Sequence, residues 1–108
     1  MISADLDAIL TAVADASRRV ILQRLAHGPA TTGQLADLLP MSRPAVSQHI
    51  KVLQDAGLLV TTTSGRNRWH ELNTDALGVV EDWARRTAAT GRAAPRLRPG
   101  PADQGDTT

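Results

Sequence analysis

At Gly57 the hydrophobic period of this chain changes. Before it, Val46, Ile50 and Leu53 recur at i, i+4 and i+7, the spacing of one helix face. After it, the β-branched run Leu59-Val60-Thr61-Thr62-Thr63 and the run Arg68-Trp69-His70-Glu71-Leu72 read as two short strands. Ser64-Gly65-Arg66-Asn67 between them is turn chemistry, so the pair reads as a β-hairpin. A capped helix that stops at a glycine and passes straight into a hairpin leaves few small folds open.

The helix has defined ends. Ser42 supplies the cap, and Pro44 falls in the first turn, where a missing N–H costs little. Gly57 closes it. With the Val46, Ile50 and Leu53 stripe turned inward, 100° per residue puts Pro44, Gln48, Lys51 and Asp55 outward, with Ser47 on one flank.

Upstream, Leu6, Ile9, Leu10 and Val13 mark an amphipathic helix, with Ile2 one turn earlier. Asp15 or Ser17 can cap a second helix whose inner face is Ile21, Leu22 and Leu25, stopped by Gly28 and Pro29. Thr31-Thr32-Gly33-Gln34 has capping-box spacing and opens a short third helix with Leu35, Leu38 and Leu39 on its apolar side. Asn73 or Thr74 caps a last helix, along which Leu77, Val80, Ala84 and Ala88 repeat beside Trp83. The expected architecture is mainly α with a small β-hairpin, in the order α-α-α-α-β-β-α. Residues 1–90 form the domain. Residues 91–108 turn to Gly, Pro, Ala, Arg and Asp, the composition of a disordered tail.

Composition narrows the chemistry. The chain lacks Cys, Phe and Tyr, which excludes disulfides, thiolate metal sites and a cysteine nucleophile, and leaves packing to Leu, Ile, Val and Ala. No apolar run approaches the roughly 20 residues that span a bilayer. The start, Met-Ile-Ser-Ala-Asp-Leu-Asp, has no basic segment, so the expectation is a cytoplasmic protein with no membrane partner. Between Ser42 and His70 four cations face one carboxylate, a net +3, whereas the stretch from Met1 to Ser17 carries −3. A basic centre behind an acidic flank implies a local anionic partner.

A short capped helix, a tight turn, a second helix with a polar outer face and a hairpin make a winged helix-turn-helix, whose second helix fits the major groove of double-stranded DNA. Gln48 can donate and accept toward a base edge, and Ser47 can serve base or phosphate. Ser42, Arg43 and free first-turn N–H groups suit a phosphate, as does Lys51. Arg66 and Arg68 extend the basic surface into the wing.

The runs Asp15-Ala16-Ser17-Arg18-Arg19-Val20-Ile21-Leu22, Ser42 to Leu53, Ala56-Gly57-Leu58-Leu59 and Gly65-Arg66-Asn67-Arg68 resemble the ArsR/SmtB family of bacterial winged-helix repressors, over about Leu6 to Trp83. The resemblance implies a homodimer built from the first and last helices, operator binding, and release by an effector. Carried over by position, the DNA-facing set is Ser42, Arg43, Ser47, Gln48 and Lys51, with Arg66 and Arg68 in the wing, within helix 43–56 and wing 59–72. The family wing often has tyrosine where this chain has His70. The dimerisation set is Leu6, Ile9, Leu10, Val13, Leu77, Val80, Trp83 and Ala84, more apolar surface than a small winged domain covers by itself. A two-fold dimer spaces its recognition helices about 34 Å apart and predicts an inverted-repeat operator.

Many members of that family sense metals. Here Thr31 to Leu39 contains no cysteine, and the last helix holds Asp75, Glu81 and Asp82 but no histidine. No cofactor is expected; a metal site would need nitrogen and oxygen ligands, a chemistry that Ni or Zn tolerates. The competing readings are a metal-responsive repressor, a protein-interaction module that has lost DNA binding, and an enzyme. Against the last, Ser47 and His49 are two apart on one helix and do not face each other. His27 reads as a helix C-terminal dipole partner, His49 as packing or phosphate contact, His70 as satisfied locally, and Trp69 as hairpin packing. Arg18 and Arg19 read as solvated helix charges, as do Arg92, Arg96 and Arg98 of the tail.

Overall fold

The computed structural model describes residues 5–97. Its elements are α1 (Leu6–Val13), α2 (Ala16–Leu25), β1 (Ala30–Thr31), α3 (Thr32–Ala36), α4 (Arg43–Asp55), β2 (Leu59–Ser64), β3 (Asn67–Leu72) and α5 (Thr74–Ala93). The winged helix-turn-helix order is as expected, with one addition. The two-residue β1 joins the hairpin, giving an antiparallel sheet in the order β1-β3-β2. Ala30 pairs with His70 and Thr31 with Trp69, so the segment leading into α3 is tied to the wing.

Helix ends follow from local side chains. Asp5, Asp15, Thr31, Ser42 and Asn73 are the N-caps of the five helices in turn. The Thr31 box is complete: its Oγ1 accepts from Gln34 N–H at 3.1 Å, and Gln34 Oε1 accepts from Thr31 N–H at 2.9 Å. Helix α3 ends at Ala36, earlier than the leucine spacing suggests. Leu38 therefore leaves the helical period and is exposed, while Leu39 turns inward.

Helix α4 closes in a Schellman motif. Gly57 takes φ +80°, its N–H donates to Gln54 O, and Leu58 N–H donates to Leu53 O, both at 2.9 Å. Leu53 and Leu58 are fully buried and make the apolar contact that accompanies such a cap. Asn73 then locks the base of the wing: its N–H donates to Leu58 O at 2.8 Å and its Nδ2 to Gly57 O at 2.9 Å.

The core joins Ile9 and Ala12 of α1, Ile21 and Leu25 of α2, Leu35 of α3, Val46, Ile50 and Leu53 of α4, and Ala76 of α5. Ile9 is 0 % exposed within its own chain. Its assignment to the dimer set is thus corrected: it is spent on the internal core. Leu6, Leu10, Val13, Leu77 and Val80 are only half-buried, Trp83 is 42 % exposed and Ala84 is exposed. From Glu81 onward α5 has no covered residue. Its exposed turns carry the i, i+4 ion pairs Glu81–Arg85 and Asp82–Arg86. The helix continues through Gly91, Arg92 and Ala93, so it takes three residues that composition assigns to the tail. Ile2 and the tail from Arg98 lie outside the described residues.

Strands β2 and β3 are joined through Gly65 and Arg66, closed by the Ser64–Asn67 pair. Gly65 has φ +63° and Arg66 does not share the positive φ, the sense of a type II′ turn with glycine first. Gly65→Ala should cost about 1 kcal/mol, because only the backbone conformation is affected and nothing lies near the new Cβ. Urea unfolding at fixed protein concentration reads that loss.

Candidate nucleic-acid interface

The sheet register decides which wing residues face α4. Thr61, His70 and Ala30 form one cross-strand row. Strand side chains alternate, so the Leu59–Leu72 and Thr63–Arg68 pairs share that face, and Thr62, Trp69 and Thr31 lie on the other. Ala30 and His70 are fully buried, which identifies the first face as the inner one. Arg68 is on this face, two residues nearer the tip, and meets α4 across a cleft.

That cleft, ≈ 370 Å³, is lined by Ser47, Gln48, Lys51 and Gln54 of α4, by Thr32 of α3 and by Arg68. A second, ≈ 350 Å³, lies alongside it, where Arg43 and Ser47 meet Arg66, Asn67 and Arg68. The helix and wing sets expected from the sequence are thus brought to one surface. Ser42, Arg43, Ser47, Gln48, Lys51, Arg66 and Arg68 are all exposed. Among the described residues Arg43, Arg66 and Arg68 make no ion pair, whereas Lys51 pairs with Asp55 at 3.4 Å. Exposed pairs of this kind are worth little, so the Lys51 ammonium is available to an anion at small cost. Ser42 Oγ accepts from Ala45 N–H at 3.3 Å as the cap, which leaves its hydroxyl proton to donate outward.

Thr32, Gly33, Gln54 and Asn67 belong to the same surface and were not singled out in the sequence. Arg43 lies over Gly33: a Cβ built there would stand 3.5 Å from Nη2. The three-dimensional approach of α3 to α4 places that pair, and no sequence spacing reports it.

Arg18, part-buried, corrects the expectation of a solvated charge, whereas Arg19 stays exposed and gains a carbonyl partner. Arg18 Nε donates to Ala12 O at 2.7 Å and its Nη2 to Thr11 O at 3.3 Å, while Arg19 Nη1 donates to Val13 O at 2.9 Å. Both guanidinium groups fold back over the C-terminal carbonyls of α1, of which Thr11 O also accepts from Ala14 N–H. Arg18 Nη1 also meets His49 Nδ1 at 3.2 Å. Arginine only donates, so Nδ1 is the acceptor, and His49 has a packing partner on α2. The Arg18 N–H donated to Asp15 holds that carboxyl below its usual range. Just past the end of α2, Arg24 Nη1 donates to Gly28 O at 3.0 Å, while His27 is exposed.

His70 is satisfied locally, as expected, but it is also the buried polar residue at the centre of the site. Its Nε2 is 2.8 Å from Thr32 Oγ1 and its Nδ1 2.9 Å from Thr61 Oγ1. Burial pushes its pKa below the usual 6.5, and the nearby Arg68 charge adds to the shift. Thr32, Thr61, Gln54 and Ala30, which approach it from the neighbouring elements, bring no charge. The imidazole is therefore held neutral in the fold, and the unfolded chain takes up that proton first. Its contribution to stability is complete above about pH 6.5 and is lost as pH falls toward the folded value. The urea midpoint should drop through this window, and His70→Gln should flatten the drop.

Among the described residues no group of three or more His, Asp or Glu side chains is placed to hold a metal ion. No described helix is long and apolar enough to cross a membrane.

The geometry defines a class, the winged helix-turn-helix DNA-binding regulators. Comparison with known proteins agrees. A helix-turn-helix domain family matches residues 13–62. The HTH-type transcriptional regulator Rv2034 of Mycobacterium tuberculosis is 49 % identical over 64 % of this chain, and the alignment spans 64 % of that protein's own length. The transcriptional repressor SdpR of Bacillus subtilis is 31 % identical over 69 % of this chain and 83 % of its own length. A solved ArsR family transcriptional regulator, RHA00566, superposes with a TM-score of 0.79 at 33 % identity, covering 83 % of this chain and 93 % of the other. The chain belongs to the ArsR family of transcriptional regulators.

Proposed function

We propose that this protein is a homodimeric, sequence-specific repressor that reads an inverted-repeat operator through helix 43–56 and wing 59–72. The observation that carries the reading is the shared surface of Arg43, Ser47, Gln48, Arg66 and Arg68, exposed together around two adjoining clefts. Gln48 and Ser47 read base edges, and the cations and Ser42 hold phosphates on either side. Dimerisation is supported by the half-covered Leu6, Leu10, Val13, Leu77 and Val80 with the exposed Trp83. An apolar groove between α1, α2 and α5, lined by Val13, Leu22, Leu77 and Val80, continues this surface. Repression follows from occupying promoter DNA with a small domain, and SdpR is named a repressor.

The test is in vitro selection from a random duplex library, followed by competition of the recovered duplex against random duplex at several salt concentrations. The reading expects a preference of roughly 10³ or more that persists as salt rises, and a dyad in the recovered sequence. Equal binding to both duplexes contradicts it, and favours a module that engages another protein through the same surface.

A further inference from the structure

The buried imidazole of His70 stands opposite the buried Ala30 in the sheet. The Leu59–Leu72 pair follows two residues on along the same face, with Leu59 buried. An aliphatic residue would fill such a place without demanding hydrogen bonds, and burying a polar ring is unfavourable unless both nitrogens find partners. Here both do, and the partners sit on different elements. Thr32 Oγ1 of α3 meets Nε2 at 2.8 Å, and Thr61 Oγ1 of β2 meets Nδ1 at 2.9 Å. Thr61 Oγ1 in turn accepts from Gln54 Nε2 of α4 at 2.7 Å. The chain of contacts runs α3, β3, β2, α4 without a gap.

We propose that the Thr32–His70–Thr61–Gln54 relay is a positioning device for DNA recognition, holding the wing and α3 in fixed register with α4 so that Arg68 and Gln48 engage the same stretch of duplex. The inference rests on the DNA-reading function proposed above. Both ends of the relay, Thr32 and Gln54, line the cleft that Gln48 and Arg68 share. Arg68 is two residues from His70 on the same strand face, so a shift of the ring along the strand carries the arginine with it. Directional hydrogen bonds specify one arrangement where apolar packing tolerates several.

Thr61→Val tests the relay with little change of shape, because it removes the one hydroxyl that Gln54 and His70 share. The probe is the duplex that the wild-type chain recovers from the random library. Affinity should fall about fivefold or more, with dimerisation and far-ultraviolet circular dichroism unchanged, and the Arg68→Ala loss should shrink by at least about threefold in the Thr61→Val background. Thr32→Val, which cuts the relay at its other end, should reproduce the lowered Arg68 contribution and decides the matter if Thr61→Val fails to fold. A merely structural role would lower the melting temperature but leave affinity and the Arg68 contribution intact at temperatures well below it. That result, in the variant that folds, overturns the relay alone. A wild-type chain that recovers no preferred duplex overturns the relay and the DNA reading together.

Discussion

Gln48→Ala should narrow the gap between selected and random duplex by about 1–3 kcal/mol per half-site, while Arg68→Ala should weaken binding to both by a similar factor. The contrast follows from position. Gln48 is exposed on the outer face of α4, between Ser47 and Lys51 along the cleft, and its amide can donate and accept at one base edge. Arg68 is in the wing, has no ion pair among the described residues and is proposed to meet phosphate, which carries no sequence. Salt separates the two variants again. The proposed dimer, presenting Arg43, Lys51, Arg66 and Arg68 twice, should neutralise about eight phosphates, with a slope of log K against log salt near −7. Arg68→Ala should bring that slope about 2 closer to zero, and Gln48→Ala should leave it unchanged. Fluorescence anisotropy over a salt series measures both quantities in one experiment. A Gln48→Ala variant that keeps the full preference for the selected duplex contradicts the assignment of base reading to that face.

The second large effect is on stability. Leu53→Ala should cost about 2–5 kcal/mol, because a fully buried leucine leaves a cavity that its neighbours cannot close. A domain of this size holds only about 5–15 kcal/mol in all, so the loss takes a large share of it. Leu53 also accepts the Leu58 N–H in the cap of α4, and its side chain anchors the helix that carries Ser47 and Gln48. Stability and DNA affinity should therefore fall together. Val52→Ala, one residue earlier and 39 % exposed, should stay within about 0.5 kcal/mol. Urea unfolding at a single protein concentration checks the pair, since the midpoint of the proposed dimer depends on concentration.

Helix α4 and the hairpin were legible because independent local signals coincide there. The Ser42 cap, the inward Val46, Ile50 and Leu53, the Gly57 stop and the Gly65 turn each act over a few residues, and the observed ranges follow them closely. The exposed face of α4 was legible for the same reason, since burial of one helix face dictates the other. What escaped was set by distance along the chain. Two residues of β1 are too short for any period, and they pair with a strand nearly forty positions later. Arg18 looked like a surface charge until α1 ended beside it with carbonyls that accept from it. The local satisfaction of His70 holds, but its full burial was not legible. Alternation places it with Arg68 and Leu72, but Trp69 competes for the inner face, and the burial of the paired Ala30 and His70 settles which side is covered. Ile9 was drawn inward because α1 packs against α2, α4 and α5 together, which one amphipathic stripe cannot disclose.

The most direct measurement of the central claim is amide-shift mapping of the ¹⁵N-labelled chain as the selected duplex is added. Shifts are expected to concentrate at residues 42–51 and 64–68, with smaller changes along α1 and α5. Shifts confined to α1 and α5, with Ser47, Gln48 and Arg66 unmoved at saturation, would show that the duplex is held elsewhere.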